Sequence, residues 1–203
     1  KVVPEEMDGQ IQELLAAHPA VWLVITAQDE VDPGEFVPKY FTAVSYKQEC
    51  WPWRDVTLCR LLSPAFVDRD PAAQVQSPAA LYGDDLRLTR TSTRLVSGPT
   101  AGQHTVLAEL DWVAERKPTI DYRVTLRLVD AQGEPVTQRD DFPIGVLLPP
   151  TTWNAGDAKP GYFALPLPAD LPAGAYRVTV GVYNPGDEEE LGEPIEIAAF
   201  DLP

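Results

Sequence analysis

Apolar and polar residues alternate along most of the chain after Ala80, which is the pattern of β-strands with one buried face. Leu110 and Trp112 lie on one side of such a run, and Glu109 and Asp111 lie on the other. The alternating runs cover residues 86–91, 105–113, 122–128, 135–139, 163–167, 176–182 and 195–200. Seven or eight strands at this spacing, separated by Gly and Pro turns, predict an antiparallel β-sandwich of immunoglobulin-like or jelly-roll-like type.

The first 70 residues have a different pattern, which predicts a small α/β segment. Apolar residues recur at helical spacing behind Asp8, a suitable N-cap, and the predicted helix ends near Ala17. The continuous apolar run 20–27 predicts a strand that is buried on both faces, because it lacks polar alternation. A second helix is predicted with Asp32 as its N-cap and Pro33 at its first helical position, and its apolar face is formed by Phe36, Val37, Tyr40, Phe41 and Val44.

A second strand is predicted over residues 55–62, and periodicity is weak after it. Residues 63–78 contain three prolines, which is typical of a linker or a long connection. The predicted organisation is an α+β chain in two parts: a small α/β segment over residues 1–70, a linker over 71–79 and the β-sandwich over 80–203.

The charge balance excludes some partners. The chain has 16 basic and 31 acidic residues, a net charge of −15, so a nucleic-acid backbone or an anionic membrane surface would be repelled. The longest apolar run, residues 20–27, is much shorter than the roughly 20 residues of a membrane-spanning helix, and membrane insertion by this chain is not expected. Because residue 1 is Lys, we interpret the chain as a fragment of a longer protein, with any membrane anchor outside it.

The two cysteines, Cys50 and Cys59, are nine positions apart and flank Trp51-Pro52-Trp53, which we interpret as a turn. This spacing favours a disulfide that closes a small loop, and a disulfide indicates an oxidising compartment. The alternative is a pair of unrelated buried thiols.

Aromatic side chains are the candidate sugar-binding groups, because an exposed ring offers a flat apolar face to a pyranose. We select Trp153, Trp53 and Tyr162 as candidates for stacking on carbohydrate, and Trp51 is a further aromatic of the same kind. Trp112 lies on the apolar face of its strand and is predicted to be core. Trp153 follows a proline-rich loop and has two interpretations, an anchor packed inward or a stacking platform.

Signatures of catalysis are not found. The sequence has no Gly-x-Ser-x-Gly elbow and no Gly-rich phosphate loop, so no catalytic residue and no cofactor are predicted for this chain. We consider Asp140, Asp141 and Asp187 as ligands for a calcium ion, since calcium binds several oxygen atoms. The alternative is that these are solvated acids of turns, where Asp is favoured, and no other metal site is predicted.

Several segments in order resemble a known family. They are 122–133, Asp140-Asp141-Phe142-Pro143, Pro150-Thr151-Thr152-Trp153 and 174–183, together with Val21–Val24, Asp32-Pro33 and Trp53 with Asp55 in the first part. This order resembles the C-terminal extracytoplasmic region of bacterial polytopic membrane glycosyltransferase-like proteins of the dolichyl-phosphate-mannose–protein mannosyltransferase type.

The resemblance implies a location on the extracytoplasmic face of the cell membrane, as part of a larger membrane protein. It implies the membrane domain of the same protein as a partner. In that family the catalytic acid lies in the membrane part, which this chain does not include, so a transferase context is implied without activity in this fragment. The favoured hypothesis is a non-catalytic accessory domain that positions an acceptor or a glycan. The alternatives are a carbohydrate-binding module and a structural module for protein interaction, for which an exposed apolar patch is expected.

Overall fold

A computed structural model describes residues 4–26, 32–67, 72–98, 100 and 102–202, with side chains described from Met7 onward. The helices are α1 (Pro4–Ala17), α2 (Phe36–Val44) and α3 (Pro64–Val67), with a 3-10 helix at Pro150–Thr152. The strands are β1 (Ala20–Ile25), β2 (Tyr46–Trp53), β3 (Val56–Leu62), β4 (Gln74–Gln76), β5 (Ala80–Tyr82), β6 (Leu86–Ser97), β7 (His104–Ala114), β8 (Arg123–Val129), β9 (Pro135–Asp141), β10 (Ala158–Pro166), β11 (Gly174–Tyr183) and β12 (Ile195–Leu202).

Two antiparallel sheets form a sandwich, as the period-two pattern predicts. Within the described ranges, one sheet has the strand order β10-β7-β6-β4, with β5 also paired to β6, and the other has the order β12-β11-β8-β9. The predicted fold class is therefore confirmed. The polar stretch after Arg90 belongs to the long strand β6, which pairs with β7 as far as Ser97.

The core between the sheets consists of the apolar residues that alternate in sequence. Leu110 and Trp112 of β7 and Val178 and Val180 of β11 are fully buried and belong to one cluster. Each such side chain contributes about 1.5–3 kcal/mol by leaving water, so the inward-facing positions hold the two layers together.

Strands β1, β2 and β3 form a separate three-stranded antiparallel sheet with the order β1-β3-β2. Helices α1 and α2 cover one face of it, where Ile11, Leu15 and Phe41 pack with Leu61. Helix α2 begins at Phe36 instead of at Pro33, and Glu35 is its N-cap residue. The Asp32 carboxylate still accepts hydrogen bonds from the backbone N–H groups of Phe36 and Val37 at 3.0 and 2.9 Å, which satisfies the first turn of the helix.

Local predictions fail in three further places here. Helix α1 begins at Pro4, so Asp8 lies inside the helix and does not cap it. Residues 46–53 form strand β2, which local periodicity does not predict because the strand is defined by its pairing with β3. The hairpin turn lies at Arg54-Asp55 instead of at Trp51-Pro52-Trp53. Strand β1 is buried on one face only, because no described element covers the other side of Val24, which is 58% exposed. Residue 27 of that predicted strand lies outside the described residues.

Strand β4 lies inside the segment that the sequence suggests as a linker. It pairs with β6 from Gln74↔Thr93 to Gln76↔Thr91, so the chain is already part of the sandwich at this point. The side-chain amide of Gln74 also donates to the carbonyl oxygen of Ala199 at 2.6 Å, which ties this strand to the second sheet.

The N-terminal sheet rests on the outer surface of the five-stranded sheet. Tyr46 and Leu62 are buried with Leu107 and Ala164 in a cluster that joins the two parts. The guanidinium group of Arg139 donates to the carbonyl oxygen of Ala164 at 2.7 Å and to that of Lys47 at 3.1 Å. These apolar and polar contacts set the position of the N-terminal sheet on the sandwich.

Candidate functional site

The N-terminal sheet has one face that is covered only in part. At one end of this face Tyr46 and Leu62 pack on the sandwich. Towards the other end no described element covers it, and Trp22 and Trp53 have exposed fractions of 52% and 69%. We call this free part, formed by Trp22, Val24, Trp51, Trp53 and Leu58, the tryptophan face.

The register of the three strands puts these side chains on one side. Leu58 of the central strand pairs with Val24 on one flank and with Trp51 on the other, so the three side chains point the same way. Trp53 follows two residues after Trp51 and shares its side. Trp22 precedes Val24 by two residues, which brings it to the same face.

A β-bulge makes this arrangement possible. Gln48 is an extra residue in β2, between the pairs Lys47↔Leu61 and Glu49↔Arg60. Without it, alternation would put Tyr46 and Trp51 on opposite faces of the sheet. With it, Tyr46, which packs on the sandwich, lies on the same face of β2 as Trp51 and Trp53.

Hydrogen bonds hold the bulge in place. The side-chain amide of Gln48 is buried and donates to the Ser97 carbonyl oxygen at 3.2 Å and to Thr105 Oγ1 at 3.1 Å. Its carbonyl oxygen accepts a hydrogen bond from Arg60 Nη1 at 2.8 Å. The position of the tryptophan face therefore depends on contacts with the hairpin of β6 and β7.

The rings of the tryptophan face form a shallow apolar surface. The centroids of Trp22 and Trp51 are 5.7 Å apart and their planes are tilted by 32°, so these rings meet across the central strand. The guanidinium carbon of Arg54 lies 5.2 Å from the centroid of the Trp53 ring, which is the geometry of a cation–π contact. Such a surface can stack on a flat apolar ligand face.

Polar groups border the rings. Glu49 and Arg60 pair across β2 and β3 on the same side as Trp51. The Oε2 atom of Glu49 is buried and accepts no hydrogen bond from the described residues. A carboxylate and a guanidinium group beside aromatic rings can bond the hydroxyl groups of a ligand that stacks there.

The interpretation of Trp153 as a stacking platform is wrong. Its ring is fully buried in the sandwich core, and its Nε1–H donates to the carbonyl oxygen of Leu148 at 2.9 Å. The 3-10 helix before it turns the side chain inward, so Trp153 is an anchor for the loop.

Tyr162 is placed away from the tryptophan face. It lies on the outer side of β10 with its ring edge-on to Tyr46, at a centroid distance of 5.1 Å and an angle of 70°. It lines a cavity of about 740 Å³ between α1, α2, the 144–148 loop and β10, which we call the interface cavity. The three predicted stacking residues, Trp53, Trp153 and Tyr162, thus occupy three separate environments.

Cys50 and Cys59 form a disulfide between directly paired positions of β2 and β3. It lies on the helix-covered side of the sheet, where Cys59 is buried beside Leu61. The pairing that the spacing favours is present, although it joins two strands instead of closing a loop around the tryptophans. It fixes β2 to β3 directly behind the tryptophan face.

The acids considered for calcium have local partners. Asp187 accepts a hydrogen bond from Asn184 Nδ2 at 3.0 Å, and Asp140 accepts one from Gln138 Nε2 at 3.1 Å. Asp141 is 3.7 Å from the guanidinium group of Arg139. In the described part of the chain, no three His, Cys, Asp or Glu side chains are grouped so that they could hold a metal ion.

Burial shifts the pKa values of two cations near this site. It lowers the pKa of Lys47, and the neighbouring Arg139 lowers it further, while Asp141 acts in the opposite direction. The same burial lowers the pKa of the Arg139 guanidinium group. Lys47 pairs with Leu61 and therefore lies on the helix-covered side of the sheet, away from the tryptophans. Arg139 lies at the junction between the two parts of the chain, where it bonds the carbonyl oxygens of Lys47 and Ala164.

Comparisons with known proteins give structural likenesses only. No family model matches the chain. No curated protein matches it either. A beta-glucuronidase from glycoside hydrolase family 2 is 9% identical over 70% of this chain, with a TM-score of 0.40, and the chain spans 13% of its length.

Two further solved structures are similarly distant. A beta-D-mannosidase from Dictyoglomus thermophilum is 11% identical over 72% of this chain and 21% of its own, with a TM-score of 0.39. The C-terminal domain of wzt is 13% identical over 65% of this chain and 75% of its own, with a TM-score of 0.37. Proteins with one fold often have unrelated functions, so the function of this chain has to be argued from its own surface.

No helix within the described ranges has both the length and the apolar character needed to cross a membrane.

Proposed function

We propose that this chain is a non-catalytic accessory domain that binds carbohydrate through the tryptophan face. The observation that carries the proposal is the grouping of Trp22, Trp51 and Trp53 on one uncovered side of a sheet. Exposed aromatic rings of this kind are otherwise unfavourable in water, and a pyranose covers them with its own apolar face.

The charges of the site support a ligand with many hydroxyl groups. Glu49 and Arg60 lie on the same side of the sheet as the rings, so a carboxylate and a guanidinium group border a stacked sugar, with Arg60 Nη1 already bonded to Gln48. The net charge of −15 disfavours strongly anionic glycans. Neutral oligosaccharides are therefore the class that we propose.

The wider setting is part of the same proposal. The disulfide between Cys50 and Cys59 suits an oxidising compartment, which supports an extracytoplasmic location. In that setting the chain would be the accessory region of a membrane glycosyltransferase-like protein and would hold an acceptor or a glycan near its membrane domain. A reading frame with hydrophobic helices encoded before Lys1 is expected, and a frame without them would remove this part of the proposal.

Binding is tested with an array of neutral and acidic glycans, followed by titration calorimetry on the glycans that bind. Trp53→Ala is expected to weaken binding about tenfold or more, because a sugar that covers roughly 60 Å² of ring surface gains about 1.5 kcal/mol. Val75→Ala removes an exposed apolar side chain on β4 and is the matched control, with unchanged affinity expected. Failure to bind any glycan, or equal affinity of Trp53→Ala and wild type, would contradict the proposal.

A second candidate function uses the same surface. Val24 is 58% exposed beside Trp22 and adds aliphatic area that sugar stacking does not require, which favours a protein contact. In this case the tryptophan face would dock on the membrane domain of the same protein. Val24→Asp would then abolish association with that domain, whereas under the carbohydrate proposal the larger loss of glycan affinity comes from Trp53→Ala.

A further inference from the structure

The interface cavity shares no residue with the tryptophan face. Its volume of about 740 Å³ lies in the range of small-molecule sites, roughly 300–1,000 Å³. Five separate parts of the chain contribute to its wall, namely α1, α2, α3, β10 and the 144–148 loop. It is thus formed by the packing of the N-terminal part on the sandwich.

The wall of the cavity is largely apolar. Large side chains line it from three directions, with Leu15 on α1, Phe36 on α2 and Leu147 on the loop. Small residues stand at other wall positions, among them Ala16 and Ala65, and these leave the space unfilled. A ligand body that fits here is a hydrocarbon, because each methylene group that it buries leaves water.

The polar groups of the wall already have partners. Ser63 Oγ donates to the carbonyl oxygen of Leu15 at 2.6 Å, and Gln12 Nε2 donates to the hydroxyl of Tyr40 at 3.2 Å. Among the described residues that line the cavity, Lys159 is the single charged one. Lys159 pairs with Trp112 of β7, so its side chain leaves β10 on the opposite side from Tyr162 and can meet a head group only at the rim of the cavity. None of the ion pairs among the described residues includes Lys159.

We propose that the interface cavity binds a monomeric single-chain amphiphile of the fatty-acid class. The tail lies between α1 and α2, and the carboxylate meets Lys159 at the mouth. The net charge of −15 repels an anionic bilayer as a whole, so a free amphiphile is favoured over a lipid that remains in a membrane. This site does not depend on the carbohydrate proposal, because neither the residues nor the ligand chemistry are shared.

Chain length gives the first test. Octanoate, decanoate and dodecanoate are titrated into the protein by calorimetry, below their micelle concentrations. Affinity is expected to increase about tenfold for every two methylene groups, since each contributes about threefold to fourfold when buried. No binding, or an affinity that is independent of chain length, would overturn the proposal. Binding to anionic vesicles in place of free dodecanoate would overturn the choice of a monomeric ligand.

Two variants fill the cavity from two different helices. Ala16→Phe on α1 and Ala65→Phe on α3 each put a ring into the space from a solvent-exposed position, and each is expected to weaken dodecanoate binding at least tenfold. Using both keeps the test decisive if one of them fails to fold. Folded variants that bind dodecanoate as wild type does would refute the assignment.

The head group is tested with Lys159→Gln. This change is expected to weaken dodecanoate two- to fivefold, as befits a partly exposed ion pair, and to leave dodecanol unchanged. An equal effect on the acid and the alcohol would refute the role of the ammonium group. Trp53→Ala is the control for the other site, and dodecanoate binding should be unchanged in it even if glycan binding is lost.

Discussion

Trp153 and Trp53 allow a direct test of which tryptophan holds the fold together and which is available to a ligand. The Trp153 ring is fully buried, and its Nε1–H donates to the carbonyl oxygen of Leu148 at 2.9 Å. Trp53 has an exposed fraction of 69%. Trp153→Ala should therefore strongly destabilise the protein, and Trp53→Ala should leave its stability nearly unchanged.

The size of the effect follows from burial. A Trp side chain that leaves water removes roughly 200 Å² of surface, which corresponds to about 5 kcal/mol at 25 cal/mol per Å². Measured losses for Trp→Ala in protein cores are about 3–5 kcal/mol. We expect the free energy of unfolding to fall by about 4 kcal/mol, which is roughly 8–16 °C in Tm for a chain of this length.

Guanidinium chloride unfolding, followed by far-UV circular dichroism at 25 °C, measures both variants without relying on tryptophan fluorescence. Trp53→Ala should stay within about 1 kcal/mol of wild type, because it loses only exposed contacts such as the one with Arg54. A Trp153→Ala protein within about 1 kcal/mol of wild type would refute the inward placement of this ring. The same result together with lost glycan binding would restore Trp153 as a sugar-binding residue.

Two further changes test the packing that positions the site. Gly161→Ala should lower the free energy of unfolding by about 3 kcal/mol, because a Cβ there overlaps the carbonyl oxygen of Pro143 and lies 3.0 Å from its carbon. Gly9→Ala in α1 is the control, because a Cβ there meets no other atom, and it should raise the free energy of unfolding by about 0.5–1 kcal/mol. Equal Tm shifts for the two variants would argue against the close packing of Gly161 on Pro143. Replacing both Cys50 and Cys59 with Ala should lower the free energy of unfolding by about 2.5 kcal/mol, from the loop-entropy relation for a separation of nine residues. Adding reductant to the wild-type protein should lower its Tm by a similar amount. A wild-type Tm that does not change when reductant is added would contradict the presence of this disulfide.

The residues that sequence reasoning finds for the candidate site are those with a local signal. Trp51 and Trp53 flank a proline in a segment that the sequence predicts to be a turn, and a turn predicts that these rings are exposed. Trp22 has no such signal, because it lies in an apolar run that is typical of a fully buried strand. Its exposure results from the lack of any element over that side of β1, which the described structure alone reveals.

The sandwich is determined by the sequence itself, because alternate residues of a strand point to opposite faces and the apolar ones have to be buried. The disulfide follows in the same way from the spacing of two cysteines. Tertiary structure alone decides the tryptophan face and the interface cavity. The bulge at Gln48 is held by Ser97 and Thr105, residues far along the chain, and the cavity exists only where the N-terminal part meets β10. Whether a side chain is covered depends on what packs against it from a distance, and no local pattern contains that information.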